Sequence, residues 1–243
     1  MSSNTPFTSE NLDFYLKALA KEYRKQAGKT APAEVVLIGG AAILANYGFR
    51  EMTYDMDAII SASSAMEDAI LRVTDQYNLP NGWINTDFKR TKSYTPKLIE
   101  HSAYYKTFSG VLTVRTVTAE YLIAMKLVSG RIYKNDLSDV VGIVGEHRRR
   151  GKPITFDAVE RAVIELYGSW DMAQEHAKEF ARAVLESPDA ETLYERYRSS
   201  EIEAKDILLD VERQYPGAVN EESAAEILKK AREKKRRQSE SER

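Results

Sequence analysis

The stretch Val35-Val36-Leu37-Ile38-Gly39-Gly40, followed one helix length later by Arg50-Glu51-Met52-Thr53-Tyr54-Asp55-Met56-Asp57-Ala58-Ile59-Ile60, decides how this chain is read. Four β-favouring residues ended by glycine make a buried strand, and the second apolar run makes another with Asp55 and Asp57 at its mouth. Side chains two apart on a strand share a face, so the two carboxylates are expected to look into one space. Bare carboxylates that close repel one another. A divalent cation removes the conflict, and Mg²⁺ together with a phosphate is the usual arrangement for one or two carboxylates on a scaffold. Gly39 and Gly40 carry two readings. Without Cβ atoms they let amides at the start of the next helix approach a triphosphate, and they equally make a tight strand-to-helix turn.

Working outward, the 243 residues are 43% hydrophobic and 30% charged, enough for one large domain or two small ones with a proper core. No run of about 18 apolar residues is present, which argues against a membrane span, and Met1-Ser2-Ser3-Asn4-Thr5 lacks the blocks of a signal peptide. A cytoplasmic location is therefore expected. The absence of cysteine excludes disulfides, thiol catalysis and cysteine zinc sites, and the three histidines (His101, His147, His176) are widely spaced. Carboxylates and water must hold any metal. The net charge of -2 hides a basic end, with Lys229-Lys230 and Lys234-Lys235-Arg236-Arg237 close together.

Thr8 or Ser9 is expected to cap a first helix whose apolar face is Leu12, Tyr15, Leu16, Leu19 and Tyr23. A strand at 34–38 follows, then a short helix at 41–47 stopped by Gly48, a strand at 55–60 and a helix at 65–77. The segment 83–87 reads as a short strand or a sheet edge. Residues 104–108 and 111–115 flank Ser109-Gly110 as a hairpin. Beyond Thr116 the period is helical. Thr118, between Val117 and Leu122, and Thr155, between Ile154 and Val159, are helix starts of the cap-and-staple kind. Leu137, Val140, Val141 and Val144 mark one further helix, and Val159, Ala162, Val163 and Leu166 another. A break at Tyr215-Pro216-Gly217 precedes a last helix from about Glu221 and a Ser-Glu-Arg tail expected to be disordered. This predicts an N-terminal helix at 1–33 packing on a core at 34–117. A helical domain at 118–186 follows, and then a helical extension with a basic, partly disordered tail at 187–243.

A strand ending in a small-residue pair, a helix, and then Arg-x-x-Thr-x-Asp-x-Asp resembles the signature of the nucleotidyltransferase superfamily, the polymerase-beta-like fold. The stretch from Glu120 through Lys126, Arg131, Lys134 and Asp136 to Asp139 is similar to a second motif, that of the bacterial abortive-infection nucleotidyltransferase toxins. The likeness runs from Val35 to Val144. It implies an α/β fold of the α+β kind: a small mixed sheet with flanking helices, then a C-terminal helical domain. By the same resemblance Asp55 and Asp57 hold Mg²⁺ and, with Lys126, are the catalytic candidates. Gly39, Gly40, Arg50, Thr53, Arg131, Asp136 and Asp139 are the candidate nucleotide contacts, with an NTP as substrate. The implied activity is transfer of NMP to a hydroxyl on RNA such as tRNA, or on a protein, in a toxin with an antitoxin partner or in phage defence. A nucleotide-binding protein without turnover and an aminoglycoside-type small-molecule transferase are the alternatives.

Each candidate also has a physical reading. Leu122, Ile123 and Gly130 surround Lys126 at spacings of three and four, placing an ammonium on an apolar face. Lysine is seldom buried alone, so a phosphate or an Asp partner would explain it, as would a stem that snorkels to water. Asp136 borders the apolar stripe of its helix and Asp139 points away from it, where first-turn acids stabilise a helix without other function. The resemblance draws both to the site. Arg131 and Lys134 read as phosphate contacts or as solvated charges near a helix C-terminus. Arg50 supports the Asp pair or a phosphate, or simply lies at the surface, and Thr53 is expected to orient a carboxylate through its hydroxyl. Many active members carry a third acid on a later strand. The corresponding strand here, 111–115, has Thr113 and Arg115 where an acid would stand, with Asp87 and Glu100 as substitutes elsewhere.

Overall fold

Val35, Val36, Leu37 and Ile38 are at most 1% exposed, which requires a strand covered on both faces and paired on both edges. The computed structural model, which describes residues 6–130 and 135–241 (backbone alone at 221, 222 and 234–241), puts this strand at the centre of a five-stranded sheet. Strand β1 (Ala33–Leu37) pairs antiparallel with β2 (Met56–Ser61) on one side and parallel with β5 (Leu112–Val117) on the other. The order is completed by β3 (Ile84–Asn85) beside β2 and β4 (Ser102–Phe108) beside β5. The helices in chain order are α1 (Leu12–Ala27), α2 (Gly39–Asn46), α3 (Ala65–Tyr77), α4 (Ala119–Ser129), α5 (Asp136–Arg149), α6 (Phe156–Tyr167), α7 (Glu175–Glu186), α8 (Ala190–Gln214) and α9 (Glu221–Ser241). The fold is thus the expected mixed α/β one, a small mixed sheet flanked by helices and followed by helices.

Local chemistry accounts for most boundaries. Ser109 and Gly110 both have positive φ, 51° and 69°, within the connection 109–111 that folds β4 back onto β5, where Phe108 pairs with Leu112 and the Val111 amide donates to the Phe108 carbonyl. Helix α3 ends on Asn78 in the left-handed conformation, and α6 ends likewise on Gly168. Thr155 caps α6 as expected, accepting from the Ala158 amide. The apolar stripes read from the sequence are the buried faces of α1, α5 and α6. One apolar cluster extends from Phe7 to Val184, and a smaller one, Ala204, Leu208, Ala224 and Leu228, joins α8 to α9. No described helix is long and apolar enough to cross a membrane.

Several expectations need correction. The residue before helix α1 is Asn11 rather than Thr8 or Ser9, and it makes no side-chain cap, its Oδ1 accepting instead from the Thr8 amide. Helix α2 begins at Gly39 itself and stops at Tyr47, so the glycine pair forms the first turn instead of preceding it. Thr118 occupies the cap position of α4, yet its hydroxyl donates to the His101 carbonyl and leaves the helix uncapped by a side chain. Asp55 lies just outside β2, whose first residue is Met56. The chain end enters α9 at Ser241, and Glu242-Arg243 fall outside the described residues.

Candidate functional site

The carboxyl end of β1 delivers the chain into α2 through Gly39 and Gly40, and the geometry demands glycine at both. Gly39 sits at φ +52°, which side chains rarely adopt. A Cβ on Gly40 would lie 2.8 Å from Arg50 Nη2 and 2.9 Å from Thr53 Oγ1, so Arg50 and Thr53 are packed directly on this backbone. Asp57, second residue of β2 and half-buried, joins the same neighbourhood: its Oδ2 is 4.0 Å from where a Cβ on Gly39 would be. The Asp57 carbonyl accepts from the Ile38 amide, which locks the acid strand to the end of β1. Asp55 is exposed at the mouth of the strand. The Thr53 hydroxyl donates 3.2 Å to the Asp55 carbonyl, so it orients the backbone of Asp55 and not its carboxylate as expected.

A second cluster lies on α4 and α5. Lys126 Nζ is 2.7 Å from Asp136 Oδ1 and 2.8 Å from Asp139 Oδ2, and Ser129 Oγ donates to the other oxygen of Asp136 at 2.6 Å. Arg50 joins it to the first cluster, its Nη1 donating 2.6 Å to Asp139 Oδ2. The side chains of Lys126, Asp136 and Asp139 are 9%, 4% and 4% exposed. Burial disfavours the Lys126 ammonium, and Arg50 adds to that, but the carboxylates of Asp136 and Asp139 outweigh both and hold its pKa above the ordinary lysine value. Of the readings open for Lys126, an Asp partner is the one found, and its ammonium does not snorkel to water. Arg50 is likewise no surface arginine, with a side chain 13% exposed. Asp139, turned away from the apolar stripe by helix spacing, is nevertheless buried, because the charged cluster covers that face of α5. Arg131 and Lys134 lie outside the described residues.

The third-acid positions are engaged elsewhere. Arg115 donates to the Ser102 hydroxyl at 2.8 Å and to the Ser102 carbonyl, and Thr113 Oγ1 meets Thr107 Oγ1 across the hairpin. Strand β1 separates β5 from β2. The neighbour of β2 on its outer side is β3, where Asn85 stands in register with Asp57. Asp87 and Glu100 are exposed. Among the described residues no group of three or more His, Asp or Glu side chains is arranged to hold a metal.

Four contacts were not legible in the sequence. Glu201 of α8, 2% exposed, accepts from the amides of Leu137 at 2.8 Å and Ser138 at 3.3 Å and from the Ser138 hydroxyl, capping α5 from another helix. Burial pushes its carboxyl up to about 7 against the pull of these hydrogen bonds, with Asp139 adding to the rise. Arg198 donates to Asn135 Oδ1, and the Tyr194 hydroxyl donates 3.1 Å to the Phe49 carbonyl. The Phe49 ring lies on Gly142 of α5, where a Cβ would come within 2.4 Å of it. Local windows carry no signal for these, since each joins residues far apart in sequence.

A small mixed sheet whose first strand ends in a helix-opening glycine pair, with Asp55 just before and Asp57 within the returning strand, belongs to a nucleotidyltransferase-like domain. The family described as nucleotidyltransferase of unknown function (DUF6036) matches residues 15–144, and the chain belongs to that family. Comparison with curated proteins and with solved structures gives no match.

Proposed function

We propose that the protein transfers NMP from an NTP, with Mg²⁺, to a hydroxyl acceptor on RNA or protein. The observation that carries this reading is the packing of Arg50, Thr53 and Asp57 on the Gly39-Gly40 backbone, continued through Asp139 to Lys126. Asp55 and Asp57 are the residues that would hold the metal. Two carboxylates at the open end of a strand, beside a backbone with no Cβ above it, suit Mg²⁺, which keeps waters and phosphate oxygens in its shell. When bound it neutralises phosphate charge and favours ionisation of the attacking hydroxyl. The chain's own part is positional. Gly39 and Gly40 leave room for phosphate at the start of α2, Thr53 fixes the backbone of Asp55, and Arg50, packed on Gly40, is held by Asp139, which Lys126 also pairs. The acceptor oxygen bonds to the α-phosphorus, pyrophosphate leaves with the electrons of the broken bond, and the hydroxyl proton passes to solvent. The toxin-like second motif supports a role in a toxin–antitoxin or phage-defence pair, with the antitoxin as protein partner.

Calorimetry with Mg²⁺ and each NTP should detect binding that Asp55→Ala and Asp57→Ala weaken at least tenfold. Radiolabel from an α-labelled NTP should then appear on RNA or protein of a lysate. Binding of no NTP, or binding indifferent to both substitutions, refutes the proposal. A second reading, nucleotide binding without turnover, is favoured by the polar atoms of Thr113 and Arg115 being engaged within the hairpin, with no acid on β5. It predicts the same binding with no labelled product.

A further inference from the structure

We infer that α8, which lies beyond the family-matched region, is a positioning element of the nucleotide site: Tyr194, Arg198 and Glu201 hold the Arg50 loop and the first turn of α5 against each other. The three residues are spaced by four and then three, so they occupy one face of the helix. Tyr194 binds the carbonyl of Phe49, the residue before Arg50. Glu201 binds the amide and hydroxyl of Ser138, the residue before Asp139. These clamps therefore grip the two ends of the 2.6 Å Arg50–Asp139 ion pair, which links the glycine-pair cluster to the Lys126 cluster. Seven residues of helix put the clamps about 10 Å apart, a distance the rigid α8 backbone maintains.

The middle residue completes the device. Asn135 stands at the cap position of α5, but its side chain makes no cap hydrogen bond, and its oxygen accepts from Arg198 instead. Glu201 supplies the missing cap from outside, its carboxyl oxygen accepting from the Leu137 and Ser138 amides. An α5 capped from within would keep its first turn wherever the helix moved. One capped by α8 ties the first turn, which carries Asp136 and Asp139, to the docking of α8. The inference rests on the nucleotide reading proposed above, and its test separates the two.

Full-length wild type, Glu201→Ala, Glu201→Gln and Tyr194→Phe would be compared by calorimetric titration with the Mg²⁺ complexes of ATP, GTP, CTP and UTP, and by amide hydrogen exchange. Glu201→Ala is expected to weaken the tightest of these nucleotides at least tenfold. It should also raise exchange over 136–140 at least tenfold while β1 and β2 keep their protection. Glu201→Gln, whose amide retains an acceptor for the α5 amides, should return both quantities to within about threefold. Tyr194→Phe should raise exchange in 47–53 alone. The inference is overturned if Glu201→Ala changes neither quantity, if local exchange rises with affinity unaffected, or if exchange rises equally in β1 and β2. If wild type binds none of the four nucleotides, the nucleotide reading has failed, and the exchange pattern alone decides whether α8 holds the two segments.

Discussion

Replacing Gly142 by Ala adds a single methyl group to the face of α5 that receives Phe49, and the consequence reaches the ion pair at Arg50. The new Cβ would lie 2.4 Å from Phe49 Cε2 and 2.6 Å from both Cδ2 and Cζ. Carbon atoms settle at about 3.5–4.0 Å, so the ring must retreat by roughly 1 Å or more. It has little room. Tyr47 and Tyr194 flank it at centroid distances of 5.7 and 5.6 Å, and its carbonyl is tied to the Tyr194 hydroxyl. Overpacking of this kind costs about 1–3 kcal/mol, whereas alanine in place of glycine within a helix returns about 1 kcal/mol. Net destabilisation is therefore expected at roughly 0–2 kcal/mol, read from urea denaturation with an unchanged slope. Nucleotide binding should suffer more, at least tenfold by calorimetry, because Arg50 follows Phe49 directly. The reasoning is refuted if Gly142→Ala stabilises by about 1 kcal/mol, as an unobstructed helix glycine would. It is refuted equally if the substitution costs the same in a Phe49→Ala background, where the obstruction is gone and additivity within about 0.5 kcal/mol would mark independent sites.

Lys126→Met removes the ammonium paired with the buried Asp136 and Asp139, and breaking a buried pair in this way costs about 3–5 kcal/mol. Chemical denaturation should show that loss, with part of it recovered in Lys126→Met/Asp136→Asn; equal stability of the two variants would contradict the pairing. Glu201 titrates at about 7 in the folded protein against an ordinary 4.5, so the folded state holds a proton that the unfolded chain has released between those values. Its contribution is complete below pH 4.5 and is lost as the pH rises to 7, which at 1.36 kcal/mol per unit amounts to about 3 kcal/mol. Glu201→Gln should lack that slope, so wild type should lose about 3 kcal/mol relative to the variant between pH 4.5 and 7.5, and parallel stability curves would show the carboxyl to be unperturbed.

The parts of the fold that were legible are those in which one local window contains both the signal and its cause. The run from Val35 to Ile38 reads as a covered strand because its β-favouring side chains are unbroken by polar ones, and the sheet buries it on both faces. Ser109-Gly110 reads as a hairpin turn because both residues must adopt positive φ. Capping was less legible, because a hydroxyl or amide at a helix start has competing acceptors and donors. Thr118 has the same sequence context as Thr155, yet the carbonyl of His101 lies within its reach and takes its proton, while Thr155 keeps its cap. That acceptor belongs to the turn before β4, brought close by the hairpin, and no property of Thr118 announces it.

The site divides along the same line. The need of Lys126 for a partner was readable from Leu122, Ile123 and Gly130, because an ammonium on an apolar face is a local contradiction. The partner was not, since phosphate and carboxylate resolve the contradiction equally well. Helix spacing misjudged Asp139 for a related reason: it measures distance from an apolar stripe, and the surface that buries Asp139 is charged. Among the described residues Arg50, Lys126, Asp136 and Asp139 bring two positive and two negative charges together, so opposite charge accompanies their burial. Glu201 is the extreme case. A cap from within the helix shows itself by a spacing of three residues, whereas Glu201 caps Leu137 across 64. Its only local mark is a glutamate within a polar helix, identical in kind to its solvated neighbours. What distinguishes it is the α5 amides it meets, which the Asn135 side chain leaves uncapped while its oxygen accepts from Arg198. The acid that holds the first turn of α5 is therefore defined by a vacancy on another helix, and only the folded chain brings the two together.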